Sequence, residues 1–199
     1  MAEPPPPLVL VHGLWDSPRL FRRLQERLAG ARSPLLIPHL SHGLGVVPLR
    51  QLAVQLGEQI HGAFGSHQPL DLLGFSMGGV IARTWLQLEG GQGRVRRLIS
   101  VGSPQRGTWT AQPWPGHLLA SIADMKRGSR LMQRLNGDLS GLAGVECLSF
   151  YCPTDTMVVP GWQAVLPLGE RRRLPVWTHQ QMIRHPRAVD LLARELLRP

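Results

Sequence analysis

Short apolar runs alternate along the chain with stretches in which apolar residues recur every three or four positions. Short apolar runs bounded by turn residues are typical of buried strands, and the longer periodic stretches are typical of amphipathic helices. The predicted strands cover residues 8–11, 35–37, 70–75, 95–101, 146–152 and about 171–177. The predicted helices cover residues 18–30, 48–64, 77–89, 117–135 (one or two helices) and 188–197. This alternation predicts an α/β fold, with one mostly parallel sheet covered by helices on both faces.

The same pattern predicts a single domain over residues 8–199, since no repeat or linker interrupts it. Residues 1–7 end in four prolines and are expected to form an exposed polyproline lead-in. The connection 105–144 is long, and connections of this length usually serve a function. Residues 105–144 are therefore the natural position for a small cap or lid.

Gly74-Phe75-Ser76-Met77-Gly78 matches the G-x-S-x-G pattern between a predicted strand and a predicted helix. In this nucleophile elbow a serine occupies a strained turn, and flanking glycines avoid Cβ atoms that would clash there. A helix N-terminus also stabilises negative charge that develops during attack. Ser76 is therefore the candidate nucleophile, and the alternative is an idle serine in a glycine-rich turn.

A serine hydroxyl needs a base to become a nucleophile, and an acid to orient that base. In enzymes with this elbow the acid and then the histidine follow the serine in chain order. Asp155 is the only acid on the loop after the strand 146–152. Asp71 lies inside a strand and Glu170 comes too late, so both are weaker candidates. His179 is the expected base from its loop position, whereas His185 precedes a proline and is expected at a helix cap.

The oxyanion of an acyl-transfer intermediate is bound by backbone N–H groups. In the elbow fold one group belongs to the residue after the nucleophile and another to a loop that follows an early strand. The corresponding residues here are Met77 and Leu14, with Gly13 allowing close backbone approach. His12 is expected to hold this loop by hydrogen bonding rather than to move protons.

The net charge of +9 changes this picture little, although all the basic residues except Lys126 are arginines. The arginines are scattered, and Arg171, Arg172 and Arg173 form the only tight cluster. We therefore expect a solvated surface with no nucleic-acid partner, and weak contact with anionic membranes as the second interpretation. No run is apolar enough for a membrane span.

Cys147 and Cys152 lie on one predicted strand, too far apart to form a disulfide and on opposite faces of the sheet. Two free thiols, with no secretory leader visible in the sequence, favour a cytoplasmic location.

Taken together, the motifs resemble the lipase and esterase branch of the α/β-hydrolase superfamily, and the similarity extends over nearly the whole chain. They are Leu10 to Gly13, Gly74 to Gly79, the Gly102-Ser103-Pro104 and Arg106-Gly107-Thr108 stretches, and the loops of Asp155 and His179. The resemblance to compact bacterial lipases implies an α/β-hydrolase fold with a sheet of about six strands, little or no cap, and acyl esters as substrates. Phe75 and the run before His179 depart from the pattern of many relatives, so acyl-chain preference does not carry over.

The leading hypothesis is a lipase or carboxylesterase that acts through Ser76, Asp155 and His179 and needs no cofactor or metal. Apolar residues on the nearby loops are expected to contact a small ester or lipid substrate; they are Trp15, Trp109, Met157 and Trp177. A thioesterase or an acyltransferase would use the same three residues, and a non-catalytic binding module is the alternative from another class. The sequence does not indicate an oligomeric state.

Overall fold

The computed structural model describes residues 5–198, in which six strands form one parallel sheet. The strands are β1 (Leu8–Val11), β2 (Leu35–Leu36), β3 (Leu70–Phe75), β4 (Val95–Val101), β5 (Glu146–Tyr151) and β6 (Glu170–Arg173). Their order across the sheet is β2-β1-β3-β4-β5-β6. The predicted α/β architecture is therefore confirmed.

Seven α-helices accompany the sheet in the described residues. They are α1 (Arg22–Leu28), α2 (Leu49–Phe64), α3 (Met77–Leu88), α4 (Ala120–Asp124), α5 (Arg130–Gly137), α6 (Gln181–Arg184) and α7 (Pro186–Leu196). The first predicted helix begins as a 3₁₀ turn, Pro18–Phe21, before α1. Helix α6 was not predicted. No helix within residues 5–198 combines the length and the apolar character that crossing a bilayer requires.

The last strand departs from the prediction for residues 171–177. Strand β6 ends at Arg173, and all four of its residues are exposed at the edge of the sheet. Leu174 and Val176 are buried but lie outside any strand. A charged edge strand of this kind discourages pairing with another chain.

The hydrophobic core is divided between the two faces of the sheet because successive side chains of a strand point to opposite sides. Val9 and Val11 pack towards α2 and α3, whereas Leu8 and Leu10 pack towards α1 and α7. Each fully buried side chain of this size contributes roughly 1.5–3 kcal/mol. The sheet is thus a rigid support for the loops at its ends.

Both cysteines are free and buried, Cys147 on the α2/α3 side and Cys152 on the other, as their spacing predicts. Burial raises the pKa of the Cys147 thiol to about 11, so this thiol stays protonated at neutral pH.

The proline lead-in is only partly exposed where the structure describes it, and residues 1–4 lie outside the described part. Pro5 is exposed but Pro7 is buried. The Pro7 carbonyl accepts a hydrogen bond from the Asp71 amide at 2.8 Å, and the Pro6 carbonyl accepts one from Arg32 at 2.9 Å. These contacts hold the last prolines against the sheet.

The strand order fixes where a site can form. From β1 the chain passes outwards to β2 and then returns across β1 to β3, so the direction of winding reverses between β1 and β3. Open parallel sheets bind ligands at such a switch point, outside the carboxyl ends of the strands. The loop of Leu14 follows β1 and Ser76 follows β3, so both predicted elements start at this point.

Candidate active site

Ser76 occupies the turn between β3 and α3 with φ 54° and ψ −128°, a strained conformation for a residue with a side chain. A Cβ atom on Gly74 would lie 2.3 Å from the Gly79 Cα, and one on Gly78 would lie 2.1 Å from the Val11 carbonyl oxygen. Backbone cannot yield to such contacts, so both positions require glycine. The structural reason inferred for the two glycines is confirmed.

Asp155 and His179 come together although they follow different strands, β5 and β6. The His179 Nδ1 lies 2.8 Å from the Asp155 Oδ2, and each residue is only 5% exposed. The second carboxylate oxygen of Asp155 accepts hydrogen bonds from the amides of Met157 at 2.8 Å and Val158 at 3.1 Å. Three donors thus hold the carboxylate, which in turn orients the imidazole ring.

Ser76 and His179 line one cavity of about 580 Å³. The His179 ring packs on Phe75, with the ring centroids 4.9 Å apart. No hydrogen bond joins the Ser76 hydroxyl to His179 within residues 5–198, and such bonds are often long until substrate is bound. The structure therefore gathers the three predicted side chains at one end of the sheet.

The alternative candidates for the acid and the base make contacts away from Ser76. Asp71 is fully buried in ion pairs with Arg32 and Arg96, and Glu170 pairs with Arg172 at 2.7 Å. His185 is the N-cap of α7, where its Nδ1 accepts from the Arg187 amide at 3.3 Å. The position that the preceding-proline rule predicts for His185 is therefore confirmed.

The loop after β1 lies directly against the elbow. A Cβ atom on Gly13 would be 2.9 Å from the Ser76 Cβ, so Gly13 permits the contact. Met77 is the first residue of α3, and its amide has no acceptor within the helix. The Leu14 amide likewise has no acceptor in the described part of the chain, so both predicted oxyanion donors are free.

The Gly-Ser-Pro and Arg-Gly-Thr stretches after β4 join the elbow to the Asp155 loop. A Cβ atom on Gly79 would lie 2.1 Å from the Ser103 Oγ, so this loop packs on α3. The Thr108 hydroxyl donates to the Met157 carbonyl at 3.1 Å and accepts from the Val159 amide at 2.9 Å. The stretch thereby fixes the loop that carries the acid.

A family model described as the alpha/beta hydrolase fold matches residues 6–124, more than half of the chain. The chain belongs to this family. No curated protein matches its sequence. The α/β-hydrolase fold accounts for the strand order, the elbow after β3 and the loops at the carboxyl ends of the strands.

Solved α/β-hydrolase structures are similar over almost the whole chain. Lipase B of Aspergillus fumigatus matches with a TM-score of 0.77 and 18% identity over 98% of this chain and 53% of the lipase. This chain therefore spans about half the length of that enzyme. The mature lipase BlEst2 of Bacillus licheniformis matches with a TM-score of 0.76 and 15% identity, over 98% of this chain and 93% of the lipase. RedJ, a thioesterase of the prodiginine pathway in Streptomyces coelicolor, matches with a TM-score of 0.59 and 21% identity, over 98% of this chain and 93% of RedJ. At these identities the likeness concerns the fold.

Two of the four predicted substrate contacts line the cavity that contains Ser76, and two do not. Trp15 and Met157 line the cavity with Ser76, but Trp109 and Trp177 do not. The Trp109 ring packs against the Arg127 guanidinium, 4.5 Å from the ring centroid, and Trp177 is 70% exposed. Proximity along a loop does not determine the direction of a side chain, and the roles of Trp109 and Trp177 as substrate contacts stay predictions. Apolar residues of the long connection, among them Ala111, Trp114, Ile122 and Met125, supply the lining instead.

Two residues near the site were not identified from the sequence, Asp16 and His42. Asp16 lines the cavity, and its Oδ2 is buried without a hydrogen-bond partner in the described residues. Burial raises the Asp16 pKa, and the charge of Arg184 opposes that rise. The His42 Nε2 accepts from the Trp15 amide at 3.2 Å, so His42 supports the loop of Leu14. The only indication of Asp16 in the sequence is that an acidic residue stands three positions after Gly13.

The ring of His12 is buried and has a hydrogen-bond partner at each nitrogen. Its Nδ1 lies 3.0 Å from the Gly13 carbonyl oxygen, and its Nε2 accepts from the Leu40 amide at 3.2 Å. This pair of partners suits only the neutral ring. Burial lowers the pKa of His12 below its ordinary 6.5, and the neighbouring His42 and His39 lower it further. The unfolded chain therefore binds a proton more readily than the folded protein.

We expect the free energy of unfolding to decrease as the pH falls from 7.5 to 5.5, because the unfolded His12 then takes up a proton that the folded ring, with its lowered pKa, binds less readily. Urea unfolding of the wild type and of His12→Asn at both pH values measures this dependence. The variant should depend less on pH, even if it is less stable at each value. An unchanged pH dependence in His12→Asn would show that other groups are responsible.

Proposed function

We propose that the chain is a serine hydrolase of carboxylic esters, with Ser76 as nucleophile, His179 as base and Asp155 as the orienting acid. The observation that carries the proposal is the 2.8 Å contact between His179 and Asp155, because His179 also lines one cavity with Ser76. A carboxylate accepting from Nδ1 leaves Nε2 unprotonated and able to take a proton.

In the proposed reaction the Ser76 oxygen attacks the ester carbonyl while its proton passes to the His179 Nε2. The Leu14 and Met77 amides donate to the oxyanion of the tetrahedral intermediate. Its collapse breaks the ester bond, and the leaving alcohol takes the proton from His179. Water then attacks the acyl-enzyme by the same steps and releases the acid and the free serine.

The lining of the cavity favours an acyl group as the part of the substrate that binds next to Ser76. Leu14, Ala111, Ile122 and Met125 form a largely apolar wall, and Trp114 and Met157 lie at exposed positions beside it. Pockets of this kind bind apolar groups, with a few polar groups fixing orientation. Residues 105–144 contribute much of the wall, and we propose that they form the small cap of this domain.

The proposal is tested by hydrolysis of p-nitrophenyl butyrate and octanoate and by a fluorophosphonate probe, which reacts with activated serines. We expect turnover of at least one ester and a single adduct on the peptide that contains Ser76. Pretreatment with the probe should remove turnover. An adduct on another residue, or hydrolysis that survives full labelling, would contradict the assignment of Ser76.

A further inference from the structure

A second cavity, of about 390 Å³, lies beside the one that contains Ser76. Its lining includes four arginines, Arg19, Arg22, Arg23 and Arg184, together with Trp15 and Asp16. Trp15, Asp16 and Arg184 also line the cavity with Ser76 and His179. The two cavities therefore adjoin at these three wall residues, and we call the second one the arginine pocket.

The fold brings these arginines together from distant parts of the chain. Arg19 lies in the 3₁₀ turn before α1, and Arg22 and Arg23 are the first residues of α1. Arg184 is the last residue of α6, the helix that follows the loop of His179. The loop with the predicted oxyanion donor and the loop with the predicted base therefore each continue into a wall of the arginine pocket.

The positive charge of the arginine pocket is largely uncompensated. Within residues 5–198, the Arg19 and Arg184 guanidinium groups make no hydrogen bond or ion pair. Arg23 donates to the Arg184 carbonyl at 2.5 Å, and Arg22 makes only an exposed contact with Glu26 at 3.6 Å. The lining contains four arginines, all of them exposed, and Asp16 is its one acid.

Arginine is suited to phosphate because its planar group donates two parallel hydrogen bonds to the phosphate oxygens. The neighbouring cavity is mostly apolar and suits an acyl chain. We infer that the arginine pocket binds a phosphate group carried by the alcohol part of the ester. The preferred substrates are then acyl esters of phosphorylated alcohols, an inference that rests on the ester hydrolysis proposed above.

The test compares two soluble esters that differ only in the phosphate, 1-butyrylglycerol 3-phosphate and 1-butyrylglycerol. We expect kcat/KM to be roughly tenfold or more higher for the phosphorylated ester, the effect of one hydrogen-bonded charge pair. The double variant Arg19→Gln/Arg184→Gln should lower this ratio by about tenfold. The double variant Arg130→Gln/Arg134→Gln is the matched control, because both arginines are exposed on α5, line neither cavity, and their loss changes the net charge by the same amount.

Equal rates of the wild type on the two esters would overturn the inference, as would an equal loss of preference in Arg130→Gln/Arg134→Gln. An effect of the arginines on anionic phospholipid vesicles alone, with no effect on the soluble esters, would also overturn it. That result would identify a membrane contact instead.

A binding measurement separates this inference from the proposed catalysis. Calorimetric titration of Ser76→Ala with 1-butyrylglycerol 3-phosphate should give binding that weakens about tenfold when Arg19 and Arg184 are also replaced. If no ester is hydrolysed but this binding is observed, the reaction is wrong and the phosphate pocket stands. If 1-butyrylglycerol is hydrolysed through Ser76 without binding of the phosphate ester, only the pocket is wrong.

Discussion

Replacing Ser76 with alanine is expected to lower kcat/KM for p-nitrophenyl butyrate by a factor on the order of 10⁴ to 10⁶. No other group in the lining can replace the lost nucleophile. The Thr110 hydroxyl is held by the Met157 carbonyl at 2.6 Å, and the Thr108 hydroxyl contacts the same oxygen. Steady-state kinetics over a range of ester concentrations measures the loss.

Ser66→Ala is the control for this prediction, because Ser66 is exposed and its hydroxyl contacts only His61. The control should keep the activity of the wild type. His179→Ala should lose nearly as much activity as Ser76→Ala, and the double variant should lose little more, since the two groups act in one step. A Ser76→Ala protein with a tenth of the original activity would rule out Ser76 as the nucleophile.

The elements that the sequence predicts well are those whose pattern is local. Strand β3 has the predicted bounds because mostly apolar residues fill this buried central strand, and the elbow is encoded within the five residues 74–78. The N-cap position of His185 was predictable for a similar reason, since Pro186 restricts the backbone geometry of the residue before it. In each case neighbouring residues carry the information.

The features that the sequence did not predict depend on tertiary contacts. The prediction extended strand β6 to about residue 177, since buried residues such as Leu174 and Val176 give the same apolar pattern outside a strand as inside one. Trp177 is near His179 in the chain, but its ring points to solvent. The arginine pocket joins Arg19 to Arg184, and no sequence pattern links residues so far apart. Such features require the positions of whole elements, which the fold alone supplies.

Asp71→Ala is expected to lower the free energy of unfolding by about 3–5 kcal/mol, the cost of leaving a buried partner charge unpaired. Asp71 is completely buried, and its Oδ2 lies 2.8 Å from Arg32, which is 3% exposed by its side chain. Without the carboxylate, the Arg32 guanidinium keeps only its hydrogen bonds to the carbonyl oxygens of Leu196 and Pro6. Arg96 also loses its contacts with both carboxylate oxygens.

Asp190→Ala supplies a matched control, since Asp190 pairs with Arg27 at 2.5 Å but both side chains are about half exposed. Exposed pairs contribute up to about 1 kcal/mol, so this variant should differ little from the wild type in urea unfolding. Equal losses in the two variants would mean that burial does not determine the energy of the Asp71 pairs.

Activity measurements distinguish the role expected for Asp71 from the role proposed for Asp155. Asp71 lies near the amino end of β3, whereas Ser76 follows the carboxyl end of that strand. Folded Asp71→Ala should therefore hydrolyse esters at a rate close to that of the wild type, although it unfolds at lower urea concentration. Asp155→Asn should show the reverse, with stability largely kept and kcat/KM reduced by about 10⁴, because an asparagine no longer favours the tautomer in which Nε2 accepts a proton. A loss of activity in Asp71→Ala equal to that in Asp155→Asn would contradict the assignment of Asp155 as the acid beside His179.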